Sequence, residues 1–123
     1  MAGDDATIIV YHNGDEIEAG PGALIIRRRH HNWTTSRYAD IADIDYSEGS
    51  SPELFGPNAP YRIGLSIRFL TLPVQTGLHK RSPDVPDSYY LLQSFSYGLD
   101  RKAEVVRLVE GIRERWEAAR IRP

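Results

Sequence analysis

Tyr97-Gly98-Leu99-Asp100-Arg101-Lys102-Ala103-Glu104-Val105-Val106-Arg107-Leu108-Val109-Glu110-Gly111-Ile112-Arg113 is the stretch in which the hydrophobic period of the chain changes. Ahead of it, apolar residues recur at every second position. Beyond Gly98, Val105, Val106, Val109, Ile112, Trp116 and Ala119 recur at spacings of three and four. That spacing winds onto one stripe of an α-helix, with Arg101, Glu104, Arg107, Glu110, Arg113, Glu114 and Glu117 mainly off it. The pattern predicts an amphipathic helix over about residues 100–120, roughly 30 Å long. Asp100 is placed to cap it, its carboxylate accepting from the free N–H groups of the first turn. Gly111 lies inside the helix at a cost of about 1 kcal/mol, which predicts a close approach of a sheet at that point. Trp116 on the stripe reads as core.

Working back from the helix, the chain reads as strands. In Tyr61-Arg62-Ile63-Gly64-Leu65-Ser66-Ile67-Arg68-Phe69 the odd positions are large and apolar and the even ones are Arg, Gly, Ser and Arg, so one face packs and the other is wet. Ser88–Tyr97 alternates less strictly, with Tyr89, Leu91, Phe95 and Tyr97 sharing a face. Thr7–Tyr11 is β-branched and aromatic, Asn13-Gly14 supplies a tight turn, and Glu16–Glu18 is the return strand. Ala23–Arg29, Trp33–Tyr38 and Ile41–Tyr46 complete about seven strands. Two proline-punctuated linkers, 48–60 and 73–87, interrupt them. Seven strands and one amphipathic helix cannot make a lone open sheet, since edges and an apolar face would stay bare. Curling into a small barrel, or into two orthogonal halves, leaves an open corner that the helix closes. The expected fold class is therefore mainly β with one C-terminal α-helix, in one domain spanning 1–123.

Composition narrows the function classes. The chain has 123 residues, with 15 Lys+Arg against 17 Asp+Glu and no cysteine. A formal charge of −2 argues against a nucleic-acid partner, and the lack of cysteine removes disulfides, thiolate metal sites and Cys nucleophiles. No apolar run approaches the roughly 18 residues of a membrane span, and no signal peptide opens the chain, so a cytoplasmic location is expected. Arg outnumbers Lys, as in proteins from GC-rich bacterial genomes. Charge is blocked: Asp15, Glu16 and Glu18, then Arg27, Arg28, Arg29 and Arg37, then Asp40, Asp43 and Asp45. Such blocks predict pairing between neighbouring strands.

Ile41-Ala42-Asp43-Ile44, Tyr90-Leu91-Leu92 through Tyr97, and the Asp100–Arg113 helix together resemble a pleckstrin-homology-like domain of the small bacterial or GRAM-like type. The resemblance covers nearly the whole chain and is one of pattern. It implies a small barrel of about seven antiparallel strands capped by the helix, and a recognition scaffold without catalytic chemistry or cofactor. Family members bind phosphoinositides, peptides or proteins, and bacterial ones often self-associate. The phosphoinositide binders carry Lys and Arg on the first hairpin. Here that hairpin reads His12-Asn13-Gly14-Asp15-Glu16, acidic on its outgoing side.

The sharpest local feature is Arg27-Arg28-Arg29-His30-His31-Asn32-Trp33. On a strand Arg27 and Arg29 share one side and Arg28 takes the other, so one cation leans over the barrel end. One reading is an anion or acidic-peptide site, joined by Lys80 and Arg81 from the long loop. The other is a sheet edge protected by charge and paired with the acidic blocks. His30 and His31 diverge on a strand and lack a third ligand at metal spacing. No nucleophile elbow or phosphate loop occurs, so the chain reads as a non-enzyme. Leu54-Phe55, between Pro52 and Pro57, is a partner anchor or a plug for the barrel end. The candidate partner-binding residues are Arg28, Arg29, His30, His31, Trp33, Leu54, Phe55, Lys80 and Arg81. The expected partner is a protein or a second copy of the chain. The alternative is an anionic ligand or membrane surface met by Arg28, Arg29, Lys80 and Arg81.

Overall fold

Asn13 and Gly14 take φ of 52° and 90°, the left-handed pair that a two-residue hairpin turn requires. They fold β1 (Ile8–His12) onto β2 (Asp15–Ala19) with Val10 opposite Ile17. The structure, a computed structural model, describes residues 6–29, 33–50, 52–76, 86 and 88–121. β3 (Leu24–Arg27) and β4 (Trp33–Ser36) continue the meander, and the short β7 (Val74–Thr76) adds to the outer edge of β4. The second sheet is antiparallel too: β5 (Ile41–Gly49), β6 (Arg62–Phe69) and β8 (Leu92–Gly98), with β6 central. A bulge between Ile41 and Asp43 starts β5. The chain is mainly β, in two antiparallel sheets, with one long C-terminal helix, α3 (Lys102–Ile121). Among the described residues no ladder joins the two sheets.

The period-two reading of β6 holds at every position: Ile63, Leu65, Ile67 and Phe69 are buried and the even residues are not. From the first sheet they meet Val10, Ile17, Leu24 and Ile26, and from the helix Val105, Leu108, Val109 and Ile112. Three contacts fix how the sheets cross. The rings of His12 and Tyr97 lie 5.4 Å apart, Arg28 reaches Ser94, and Gln93 donates to Thr34 Oγ1 at 3.3 Å. Passing backwards along β8 from Tyr97 to Gln93 therefore leads from β1 past β3 to β4, so β8 runs transverse to the first sheet.

Helix α3 packs on β1, β2, β5 and the 3-10 turn at Tyr38–Asp40, bridging both sheets. Gly111 lies where the sequence predicts close approach: a Cβ there would stand 2.5 Å from Ile8 Cδ1 of β1. Trp116 is partly buried and its Nε1 donates to the Ile41 carbonyl at 2.8 Å. Arg115 donates to the Ala19 carbonyl at 2.8 Å and to that of Ala6, stitching the helix to the first sheet.

Three expectations need correction. Residues 88–91 form a helical turn, α2 (Ser88–Leu91), and the strand begins at Leu92. A four-residue apolar run fits either period, and here a 100° step buries Tyr90, whose carbonyl accepts from the buried Gln93 amide at 3.4 Å. Asp100 does not cap: a 3-10 turn at Leu99–Arg101 leads into α3 from Gly98 with no side-chain cap bond, and the Asp100 carboxylate turns back over Gly98. The linkers are also less bare than expected, holding α1 (Pro52–Phe55) and β7. Among the described residues no helix is long and apolar enough to cross a membrane.

Candidate functional site

Alternation along β3 sends Leu24 and Ile26 inward and Ile25 and Arg27 outward. On the outer face Arg27 Nη1 donates to Glu16 Oε2 at 2.5 Å and Glu18 Oε1 at 3.0 Å, and its guanidinium stacks 4.8 Å over the Trp33 ring. The acidic and basic blocks thus pair across β2 and β3, as their alternation in sequence predicts. Arg28 goes the other way. Its Nη2 donates to the Ser94 carbonyl at 2.7 Å, and its guanidinium lies 3.8 Å over Phe95, while Asp15 Oδ2 stands 3.5 Å from Nη1. This cation clasps the first sheet to the second. The Arg29 backbone N–H donates to Asp15 Oδ1 at 2.9 Å, and its side chain lies across the glycine of the first hairpin.

Register assembles the outer face of the first sheet. Tyr11 pairs with Glu16, Glu16 with Arg27 and Arg27 with Trp33 in one row. Ile9, Glu18, Ile25, Thr35 and Val74 form the next. The aromatic and aliphatic members are well exposed: Tyr11 58%, Ile9 53%, Trp33 46% and Val74 66%. A self-satisfied ionic centre, Glu16–Arg27–Glu18, is flanked on both sides by apolar side chains. At the β1 edge Arg101 donates to the Tyr11 carbonyl and covers a strand group that β2 does not use.

Four titratable groups off this face hold the structure together. Burial pushes the Tyr97 hydroxyl up to about 12. The Tyr46 hydroxyl, also up to about 12 by burial and by Glu48, donates to Glu48 Oε2 at 2.7 Å. That bond and the Lys102 ammonium at 3.1 Å hold the Glu48 carboxyl below its ordinary value. Tyr38, raised by burial, donates to the carbonyls of Gly20 and Ala23 at 2.6 and 3.3 Å, closing the turn between β2 and β3. Among the described residues no three His, Asp or Glu side chains converge as a metal would need.

The structure therefore separates the sequence candidates. Trp33 stands on the exposed face and Arg28 is committed between the sheets. His30, His31, Lys80 and Arg81 lie outside the described residues, as do the side chains of Leu54 and Phe55, whose backbone forms α1. Sequence reasoning missed Ile9, Tyr11 and Val74. For Ile9 and Tyr11 the signal was present in the odd–even parity of β1, but their meeting with Trp33 depends on register across four strands, and Val74 joins only through the pairing of β7 with β4. Comparison with family models, with curated proteins and with solved structures finds no match to this chain.

Proposed function

We propose that this chain is a non-catalytic protein-contact module of pleckstrin-homology-like type, which docks a partner protein on the outer face of its first sheet. The row Tyr11–Glu16–Arg27–Trp33 carries the reading. Exposed aromatic rings beside an internally paired ion cluster give large contact area, the composition of binding hot spots. The order of elements supports the family reading: a four-strand meander, a second three-stranded sheet crossing it, then a closing helix. In this reading the two sheets are the halves of the expected barrel.

Two carboxylates against one guanidinium leave this face one negative charge in excess, so the partner presents a cation among apolar side chains. Five strands and two rows measure about 24 Å by about 14 Å, roughly 300–400 Å². A stable partner surface covers about 800 Å² on each side. Contact through this face alone is thus transient, and self-association through it alone is weak. The anionic-surface alternative has less support, because the Arg28 guanidinium is already occupied by Ser94, Asp15 and Phe95.

A photo-crosslinking residue placed at Thr35, which neighbours Trp33 and Val74, tests the proposal in the cell of origin. Crosslinked species are expected from position 35 and not from the exposed helix position Glu117, and they disappear in a Trp33→Ser, Tyr11→Ser background. Their mass separates a second copy from a different protein. Absence of a position-35 product, or its survival in that background, refutes the docking face.

A further inference from the structure

The second sheet also turns a face to solvent, and it is made differently. Asp43, Arg68 and Leu92 form one row, Asp45, Ser66 and Ser94 the next, then Ser47, Gly64 and Ser96, and finally Gly49, Arg62 and Gly98. A depression of about 280 Å³ opens over Gly64, bounded by Ser47, Gly49, Ser50, Arg62 and Ser96. Glycine makes the space. A Cβ on Gly64 would project into the depression, 3.0 Å from Ser47 Oγ. Gly49 and Gly98, the register partners of Arg62, place no side chain beside it.

Arg62 is held but not neutralised. Its Nε donates to Ser96 Oγ at 2.7 Å, which aims the guanidinium along the strand toward the depression. Among the described residues no carboxylate lies within ion-pair distance of it, whereas Arg27, Arg28, Arg37 and Arg101 each have one. Two acids stand near. Glu48 borders the depression, but its carboxylate is bound to Tyr46 and Lys102. Asp100 lies over Gly98 and does not line the space. A forked cation whose terminal N–H groups have no partner among the described residues, facing hydroxyl donors across an open floor, matches the oxygens of a phosphate.

We propose that the depression over Gly64 binds a phosphate monoester group, with Arg62 as its cation and the hydroxyls of Ser47, Ser50 and Ser96 as neutral donors. With one cation at an open site, the dissociation constant is on the order of millimolar. The site is independent of the docking face on the first sheet.

The test is a backbone-amide NMR titration at constant ionic strength, with inorganic phosphate first and glycerol 3-phosphate second. Saturable shifts are expected at Ser47, Gly49, Ser50, Gly64 and Ser96. Arg62→Gln weakens binding at least about tenfold, a loss of about 1.4 kcal/mol. Gly64→Val, which keeps the charge and fills the floor, weakens it similarly while its spectrum stays dispersed. Arg107→Gln, on the exposed side of α3, leaves it unchanged. Phosphatidylcholine vesicles with and without phosphatidic acid form the last arm: Arg62-dependent sedimentation with the acidic vesicles identifies a lipid source, and its absence beside glycerol phosphate binding identifies a soluble one. Diffuse or unsaturable shifts, full affinity in Arg62→Gln, or equal loss in Arg107→Gln overturn the proposal.

Discussion

Replacing Arg28 by alanine tests whether that cation is part of the framework or is kept for a ligand. Its side chain is only 23% exposed, and it ties β3 to β8 across 66 residues of sequence. The hydrogen bond from a charged donor to the Ser94 carbonyl is worth about 1.5–3 kcal/mol, and the stacking on Phe95 about 0.5–2 kcal/mol. The Asp15 carboxylate, at 3.5 Å, adds little. Truncation releases roughly 1.5–2 kcal/mol of side-chain entropy, which offsets part of the loss. The expected net destabilisation of Arg28→Ala is about 2 kcal/mol, or roughly 6–10 °C in Tm for a chain of this size. Arg28→Lys keeps the charge but loses the fork and loses about half as much. Arg29→Ala, whose side chain makes no ion pair among the described residues, changes stability by less than about 0.5 kcal/mol. Urea unfolding at low and high salt is the assay, with an unchanged m-value required for the comparison. The Arg28 effect largely persists in salt, because its main contacts are to a neutral carbonyl and a ring rather than to a counter-charge. If Arg28→Ala matches Arg29→Ala, the clasp is not a stabilising contact. If it stabilises the protein, Arg28 is a strained ligand-binding cation and the protein-contact reading loses its main support against the anionic alternative.

Two further expectations concern packing and pH. Gly111→Ala gains about 1 kcal/mol of helix propensity but drives the Ile8 terminal methyl from 2.5 Å, so it stays within about 1 kcal/mol of wild type; Gly111→Leu, which has no such slack, costs more than about 2 kcal/mol in urea unfolding. Burial raises the Tyr97 pKa from 10.0 to about 12, so the folded state holds that proton longer than the unfolded chain does. The stabilisation is complete below about pH 10 and is lost as pH rises through about 12, by roughly 2–3 kcal/mol. Tyr97→Phe removes that portion of the alkaline slope; an unchanged slope in denaturation curves from about pH 9 to about pH 11.5 shows that Tyr97 ionises freely.

What was legible in the sequence is what neighbours decide. The alternation in β6, the helical stripe through Val105 and Ile112, the turn at Asn13-Gly14 and the close approach at Gly111 each follow from a few consecutive residues, and each stands in the structure as read. Leu108, buried on the same stripe, belongs to the pattern by spacing alone. The helical turn at 88–91 was not legible, because Tyr89 and Tyr90 suit a strand locally and only the interior seat of Tyr90 decides for a helix. Nor could a run of three arginines say which of them is structural. Arg27 is settled by β2, one hairpin away; Arg28 is settled by Ser94, which comes close only once the second sheet has crossed the first.

The two outer faces show why a reading built on folding alone stops short of function. Both face solvent, so neither is required by the core. If stability were the sole constraint, β6 and β8 would favour β-branched or aromatic residues on that side, since these raise strand stability by up to about 1 kcal/mol over glycine. Instead the second sheet carries Gly64, Gly98, Ser66, Ser94 and Ser96 there, leaving Arg62 over an open floor with no carboxylate partner among the described residues. The first sheet does the reverse, leaving Tyr11 and Trp33 in water and neutralising its cation. Each face gives up something a stable fold would keep: strand propensity on one, aromatic burial on the other. The two departures are opposite in chemistry, which is why each face carries its own proposal. Under the two proposals the first face takes a protein with a cation among apolar groups and the second a phosphate oxyanion.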